Sequence, residues 1–187
     1  MRKPARGGQR CDPPPFAAVR MASPPAPAHD KQAWGGSAMA EFDTPAEDAD
    51  AIRAWFDEWG AEVARRDFAA ARRRFDPDAL GFGTWMDHVE GLDALEARQW
   101  RSIWPNIEDF EHRTEGLRCM VSPDRTMAFG MTVWTSTGFH EDGTAYERPG
   151  RTTAVFTREE PGDPWRCVHT HVSLFRDVPQ RSWGRRA

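Results

Sequence analysis

Apolar residues between positions 50 and 65 recur every three or four residues, which is the spacing of one face of an α-helix. The stripe consists of Ile52, Trp55, Phe56, Trp59 and Val63. Charged residues occupy the intervening positions, so the helix is predicted to bury one side only. The preceding stretch, Thr44-Pro45-Ala46-Glu47, is typical of a helix start, with Thr44 as a hydroxyl N-cap, a proline in the first turn and a returning glutamate.

Two further helices are predicted. Asp67 is placed to cap a short second helix, which ends at Asp76-Pro77-Asp78. A third helix begins at Gly91 and ends before Pro105, because proline cannot continue a helix beyond its first turn. The three helices therefore occupy the N-terminal part of the folded region.

The remaining segments have the pattern of strands. A short strand is expected over residues 79–85, where Gly81 and Gly83 allow another element to approach closely. Longer strands are predicted over residues 110–121, 126–139, 145–157 and 165–176, separated by turns rich in proline, glycine and aspartate. The clearest alternation places Met127, Phe129, Met131 and Val133 on one face. This order predicts an α+β fold in which three N-terminal helices lie on one face of an antiparallel sheet, and such a sheet twists and can curl around the helices.

The ends of the chain differ from its middle. Residues 1–43 are rich in proline and poor in aliphatic side chains, so they bury too little surface to offset their ordering entropy. We expect a disordered N-terminal segment over residues 1–43, one folded domain over 44–176 and a flexible tail over 177–187. Met39 is a candidate for the biological start, and a chain beginning there is expected to melt like the full chain. We find no export signal and no stretch that approaches a membrane span.

The last predicted strand carries a recognisable motif. Trp165-Arg166-Cys167-Val168-His169-Thr170-His171-Val172-Ser173 resembles the W-x-x-V-H-x-H-x-S ending of SnoaL-like proteins and of the association domain of calcium/calmodulin-dependent kinase. Arg66-Asp67, Asp78-Ala79 and Gly91-Leu92-Asp93-Ala94-Leu95 are similar to earlier short motifs of that family. The resemblance covers about residues 46–176 and implies the superfamily that includes ketosteroid isomerase and nuclear transport factor 2. It thereby implies three N-terminal helices packed on a strongly curved antiparallel sheet that forms a cone around a pocket. It implies a fold rather than one function, because this fold serves enzymes, ligand binders and assembly modules.

Two departures limit what the resemblance implies. Ketosteroid isomerases have a proton-abstracting aspartate at the position that the spacing here assigns to Gly83, which has no side chain to accept a proton. The kinase association domain has arginines where this chain has Ala154 and Val172. Neither that isomerisation mechanism nor anion binding through those two arginines is therefore expected.

His169 and His171 are two residues apart on a predicted strand, so they are expected to project from one face with Trp165, Cys167 and Ser173. The opposite face is mainly aliphatic, and the sequence leaves open which face meets the pocket. Three roles remain for the histidines: structural or interface hydrogen bonding, acid-base or ligand contact, and metal ligation. No metal site is predicted, because no third ligand stands at a diagnostic spacing.

Other polar residues are candidates with weaker support. Asp87 and His88 follow the first strand, where an acid beside an imidazole can form a general base with its orienting partner, or can simply be solvated. Arg151 lies in the middle of a predicted strand, where a buried arginine needs a partner. Glu147 or the carboxylate of a ligand could provide it.

The aromatic content indicates what a pocket would accept. Nine tryptophans and eleven phenylalanines accompany a single tyrosine, which supplies large apolar walls with few polar groups. Trp55, Trp59, Trp85 and Trp134 are expected to line the pocket. Such a pocket suits a small hydrophobic or aromatic molecule, and an aromatic core without a ligand is the alternative.

The net charge and the absence of known motifs limit the kinds of partner and cofactor that are expected. The net charge of −4 argues against a nucleic-acid surface, and three widely spaced cysteines suit a reducing cytoplasm better than a disulfide framework. No phosphate-binding glycine loop or dinucleotide fingerprint appears, so no cofactor is expected. Large residues on both faces of the strands, with Trp134 opposite Met131 and Val133, predict a homodimer through the outer face of the sheet.

Three classes of function remain. The first is a cofactor-free isomerase, dehydratase or cyclase with His169, His171, Asp87 or His88 as acid and base. The second is a non-catalytic binder that uses Arg151 for polarity, and the third is a dimerisation module. We favour a pocket protein of one of the first two classes.

Overall fold

The computed structural model describes residues 44–186, and its first element is the predicted amphipathic helix. This helix, α1, spans Ala46–Arg65. All five residues of the predicted apolar stripe are buried in it. The expected cap is displaced by one residue, because Pro45 is the N-cap and no side chain caps the helix. The Thr44 hydroxyl instead donates to the Cys119 carbonyl at 3.3 Å.

The second and third helical regions are shorter than predicted or irregular. Helix α2 spans Phe68–Arg72, and the Asp67 carboxylate caps it by accepting from the Ala70 amide at 3.0 Å, as predicted. Residues 92–106 form one helical region made of α3 (Leu92–Leu95), a π-helical turn (Glu96–Trp100), α4 (Arg101–Ile103) and a 3-10 turn (Trp104–Asn106). Single π-helical turns in such regions are frequent at functional sites.

In the described part of the chain, eight strands form one curved sheet. They are β1 (Phe75–Phe82), β2 (His88–Glu90), β3 (Glu108–His112), β4 (Arg118–Val121), β5 (Met127–Phe139), β6 (Ala145–Glu147), β7 (Gly150–Thr157) and β8 (Arg166–Leu174). The main path through the sheet is β2-β1-β8-β7-β5-β3, with β4 and β6 also paired to β5. Strand β1 runs parallel to β8. The sheet is therefore mixed, and the prediction of a purely antiparallel sheet is wrong.

Three strand boundaries also differ from the prediction. Strand β1 begins at Phe75, four residues before the predicted start, so the chain leaves α2 directly into the sheet. The predicted strand over residues 110–121 is two strands separated by the 3-10 turn Thr114–Gly116. The predicted strand over 145–157 is broken at Arg148-Pro149, because proline lacks the N–H that a continuous ladder needs.

A β-bulge in β8 changes which side chains share a face. Phe156 pairs with Cys167 but Val155 pairs with His169, so Val168 is the extra residue. Cys167 is buried, while His169 and His171 lie on the opposite, outer face of the sheet. The prediction that Cys167 and the two histidines share one face is wrong, because the bulge shifts the alternation by one residue.

The C-terminal residues, for which we expected a flexible tail, make specific contacts with the domain. The Trp183 amide donates to the Phe139 carbonyl at 3.0 Å, and the Phe139 amide donates to the Ser182 hydroxyl at 2.9 Å. The Ser182 hydroxyl also donates to the Asn106 carbonyl, and Arg185 pairs with Glu108. The sequence of this segment has no periodic pattern from which these contacts could be predicted. The expectations for residues 1–43 and for Met39 lie outside the described residues.

Candidate functional site

A small interior cavity lies between the helical region 92–106 and the inner face of the sheet. Its volume is about 30 Å³, which is room for one or two water molecules. Aromatic and aliphatic walls surround it, formed by Trp59, Val63, Trp100, Ile103, Trp104, Ile107, Phe110, Trp134 and Val172. Four polar side chains also line it: Thr84, Gln99, Arg148 and Thr170.

Gln99 occupies the space beside Gly83. A β-carbon built on Gly83 would lie 2.2 Å from the Gln99 Cδ atom, so the missing side chain admits the Gln99 amide. Gln99 belongs to the π-helical turn and is buried, and its Oε1 atom has no hydrogen-bond partner among the described residues. The polar group nearest to Gly83 is therefore an amide, which does not accept a proton near neutral pH.

Arg148 is the single charged residue of the cavity lining. Its backbone N–H and C=O both pair with Ser136 on β5, at 2.8 and 3.1 Å, which fixes the residue at the break between β6 and β7. Exposed and buried residues alternate along this segment, and Arg148 falls on the inward side. Only 1% of its surface is exposed. Its Nη2 donates to the Thr84 hydroxyl at 3.1 Å, whereas its Nε has no partner. Burial lowers the pKa of Arg148, and the nearby Tyr146 phenol offsets this only in part.

The predicted ligand-lining tryptophans have different positions. Trp59 and Trp134 line the cavity, and the indole N–H of each is buried without a partner. Trp55 lies behind the cavity in the aromatic core, with its ring centroid 5.0 Å from that of Trp59. Trp85 is 56% exposed and lines an outer groove instead. Two of the four predictions therefore fall on the cavity itself.

The outer groove adjoins the cavity at Ile103, which lines both. Its volume is about 340 Å³, within the range of roughly 300–1,000 Å³ that is usual for ligand pockets. Its other walls are Trp85, Ser102, Asn106 and the C-terminal residues Gln180, Arg181, Ser182 and Trp183. The half-buried Ile103 side chain therefore lies at the boundary between the groove and the cavity.

The two histidine side chains of β8 face away from the cavity. His169 and His171 lie on the outer face of the sheet, where the Phe82 ring is 6.1 Å from the first imidazole and 5.4 Å from the second. Burial, and then the neighbouring His171, lower the pKa of His169. The residues of β8 that line the cavity are Thr170 and Val172. The aliphatic side of the strand is thus the inner one.

The remaining candidates are also outside the cavity. Asp87 and His88 are exposed, and the His88 imidazole lies 3.6 Å from the Glu90 carboxylate. Arg151 is exposed on the outer face and donates from Nε to the Ser173 hydroxyl at 3.0 Å. Neither Glu147 nor another described carboxylate pairs with it. These three residues are not brought together with the cavity lining.

One buried histidine was not singled out from the sequence. His112, on β3, stacks on Trp59 with ring centroids 5.2 Å apart, and its Nδ1 lies 3.1 Å from the Phe56 carbonyl. Burial lowers the pKa of His112 to about 3, against the opposing effect of the Phe56 hydrogen bond. The imidazole is therefore neutral near pH 7 and packs as part of the core.

The outer face of the sheet is apolar across several strands. One row of paired residues runs Leu80, His169, Val155, Phe129 and Met120. The next row runs Phe82, His171, Thr153, Met131 and Arg118. Leu80, Phe82, Met127, Met131 and Val133 are each between 43% and 51% exposed. We call this surface the outer sheet face.

Within residues 44–186, no three histidine, cysteine or acidic side chains come together as a metal site requires. No helix in that part of the chain combines the length and hydropathy needed to cross a membrane. Burial raises the pKa of both described cysteine thiols, Cys119 and Cys167, so neither is an activated nucleophile.

Comparison with known proteins identifies the family. The family described as "SnoaL-like domain" matches residues 52–177, which is more than half of the chain. The chain belongs to this family. The resemblance noted in the last strand is thereby confirmed, and the domain is SnoaL-like. No curated protein matches the sequence.

Solved structures agree with this assignment at the level of the fold. A ketosteroid isomerase-like protein from Erwinia carotovora atroseptica is 15% identical, with a TM-score of 0.60 over 70% of this chain and 98% of that one. A nuclear transport factor 2-like superfamily protein from Salmonella enterica is 16% identical, with a TM-score of 0.58 over 70% and 93%. The association domain of C. elegans CaMKII is 17% identical, with a TM-score of 0.52 over 68% and 95%. At these identities the likeness shows the fold alone.

The two polar residues central to the SnoaL-like cavity, Arg148 and Gln99, were missed from the sequence. Gln99 sits in a helix among charged neighbours, and only its contact with Gly83 reveals its inward position. Arg148 precedes Pro149, and that proline was the one available signal that the strand breaks here. Arginine side chains are rarely buried, so the residue type alone favours a solvent-exposed position for Arg148.

Proposed function

We propose that this SnoaL-like domain is a cone-shaped pocket protein that binds a small aromatic molecule and does not transform it. The ligand would occupy the cavity and extend into the outer groove past Ile103. The cavity of about 30 Å³ would take one end of the ligand between rings that include Trp59, Trp100 and Trp134. The aromatic body would lie in the groove of about 340 Å³, where Trp85 and Trp183 supply apolar surface.

One observation carries the proposal: the cavity is aromatic, yet four buried polar atoms of the residues that line it lack hydrogen-bond partners. The Gln99 Oε1, the Arg148 Nε and the indole nitrogens of Trp59 and Trp134 have none among the described residues. Leaving such a group unpaired costs about 1–3 kcal/mol. Polar groups placed in an otherwise apolar cavity are typical of ligand sites, where they fix the orientation of the ligand.

The composition of the lining favours binding over acid-base catalysis. Among the thirteen residues that line the cavity, Arg148 is the sole ionisable one. A general base must lie within hydrogen-bond reach of the proton that it removes. His169, His171, Asp87 and His88 lie elsewhere, and the position of Gly83 is filled by an amide. Proton transfer by any of these groups is therefore a poorer account than binding.

The experiment is to purify the protein gently and to analyse it by native mass spectrometry, alongside a thermal-shift screen of small aromatic compounds, both neutral and anionic. We expect one small molecule per chain, released unchanged, and stabilisation by aromatic members of the screen. Conversion of the molecule during incubation would contradict the non-catalytic proposal. Absence of any bound or stabilising compound would contradict the pocket proposal as a whole.

We also propose that the outer sheet face forms the contact of a homodimer. Its support is the row from Leu80 to Met120, in which four of the five residues are apolar, a broader patch than the scattered apolar residues usual on monomer surfaces. A second copy offers the same apolar surface, and a two-fold contact is self-complementary. The likeness to an association domain adds support from the fold. Light scattering should then give twice the chain mass of 21.2 kDa.

A further inference from the structure

Arg148 places a positive charge inside the cavity without a negative partner. The side chain is 1% exposed, and no carboxylate of residues 44–186 lies within ion-pair distance of it. An arginine stays protonated even where burial lowers its pKa. Removal of a charge from water without compensation is strongly unfavourable, and buried charges in proteins are normally paired.

Other buried arginines in this domain follow the usual rule. Arg158, whose side chain is 3% exposed, pairs with Asp48 at 2.8 Å. Arg74 is also largely covered, and it pairs with Glu62 at 2.8 Å. Arg148 is the exception, and it is also the arginine that lines the cavity. The centroid of the Trp134 ring lies 5.5 Å from the guanidinium carbon of Arg148, but this cation–π contact supplies no negative charge. The contrast with Arg158 and Arg74 therefore points to a charged partner from outside the described chain.

The unpaired buried polar atoms of the lining residues are three donors and one acceptor, the Gln99 Oε1. The Arg148 Nε–H and the indole N–H groups of Trp59 and Trp134 all lack an acceptor. Water in the cavity could accept from one or two of them, but water carries no charge to balance the guanidinium. A carboxylate provides two oxygen atoms, about four acceptor positions and the missing negative charge.

We propose that the ligand is a small aromatic acid whose carboxylate binds Arg148 in the cavity. This inference rests on the proposed function, because it names the class of molecule that the same site binds. The cavity of about 30 Å³ has room for little more than the acid group. The aromatic body therefore lies past Ile103, toward Trp85 and Trp183 in the groove of about 340 Å³.

The test compares phenylacetate with phenylacetamide, which has nearly the same shape but no charge, by calorimetric titration of the full chain. We expect the acid to bind at least tenfold more tightly than the amide. In Arg148→Met this preference should fall below twofold, and in Arg148→Lys, which keeps the charge, it should remain at reduced affinity. Arg73→Met, which removes an exposed charge directly after α2, should leave the preference unchanged.

Thermal unfolding of the free proteins separates a binding role from a structural one. Because Arg148→Met removes an uncompensated charge, its melting temperature without ligand should equal or exceed that of the wild type. A loss of several degrees would mean that Arg148 supports the fold, and would overturn the inference. Equal binding of acid and amide would also overturn it but leave the pocket proposal standing. Failure of both compounds to bind would overturn both.

Discussion

Gln99 packs its amide directly against the α-carbon of Gly83, at a position where a β-carbon would lie 2.2 Å from Cδ. Gly83→Ala must therefore displace the Gln99 side chain, which is buried. We expect a loss of stability of about 1–2 kcal/mol, since overpacking a filled site forces neighbouring side chains out of their rotamers. Chemical denaturation measures this directly.

The same contact can be isolated by a double-mutant cycle. In the Gln99→Ala background the obstructing amide is gone, so Gly83→Ala should cost clearly less than it does alone. Equal costs in both backgrounds would show that the two residues are not coupled. Such a result would remove the reason for the inward position of Gln99.

The packing of the Trp134 ring requires a second glycine, Gly150. A β-carbon on Gly150 would meet the Trp134 ring at 2.2 Å and the Ser173 carbonyl oxygen at 2.4 Å. Because one of these contacts is backbone, Gly150→Ala should destabilise the domain by about 2–4 kcal/mol. Gly116→Ala is the matched control, since nothing lies within 4 Å of its added carbon. Similar melting temperatures for the two variants would contradict the packing described for Trp134.

The buried His112 predicts a pH dependence of stability. Burial lowers the pKa of His112 to about 3 in the folded state, below the unfolded value of about 6.5. The unfolded chain therefore binds more protons at intermediate pH, and stability is lost as the pH falls from about 6.5 toward 3. Between pH 7.5 and pH 5 this amounts to about 2 kcal/mol. His112→Gln should abolish most of that difference, as measured by denaturation at the two pH values.

The position of His169 and His171 on the outer sheet face predicts which property their replacement changes. Glutamine at either position should leave ligand affinity within twofold, because neither side chain lines the cavity. If the outer sheet face joins two copies, Met131→Glu should convert the dimer to a monomer. Asp124→Lys, in the exposed turn before β5, is a charge-changing control that should not. A monomeric wild type in light scattering at micromolar concentration would contradict the dimer proposal.

Much of the fold could be predicted from local patterns, whereas the site could not. The stripe from Ile52 to Val63 and the alternation from Met127 to Trp134 are repeated signals, and the structure confirms both. The bulge at Val168 places His169 on the face opposite Cys167. Nothing in the local sequence marks the position of this one extra residue. The pairing of β1 with β8 joins residues about ninety positions apart. Local secondary-structure propensity cannot predict such a pairing, because it depends only on neighbouring residues.

The central claim is that a small aromatic molecule enters the interior cavity, and NMR of the tryptophan indole groups tests it most directly. Protein labelled with ¹⁵N at tryptophan would be titrated with phenylacetate and, separately, with phenylacetamide. We predict that at least one compound shifts the Nε1–H signals of Trp59 and Trp134, while that of Trp165, which does not line the cavity, stays in place. Signals of Trp59 and Trp134 that stay unchanged with both compounds at millimolar concentration would contradict the account.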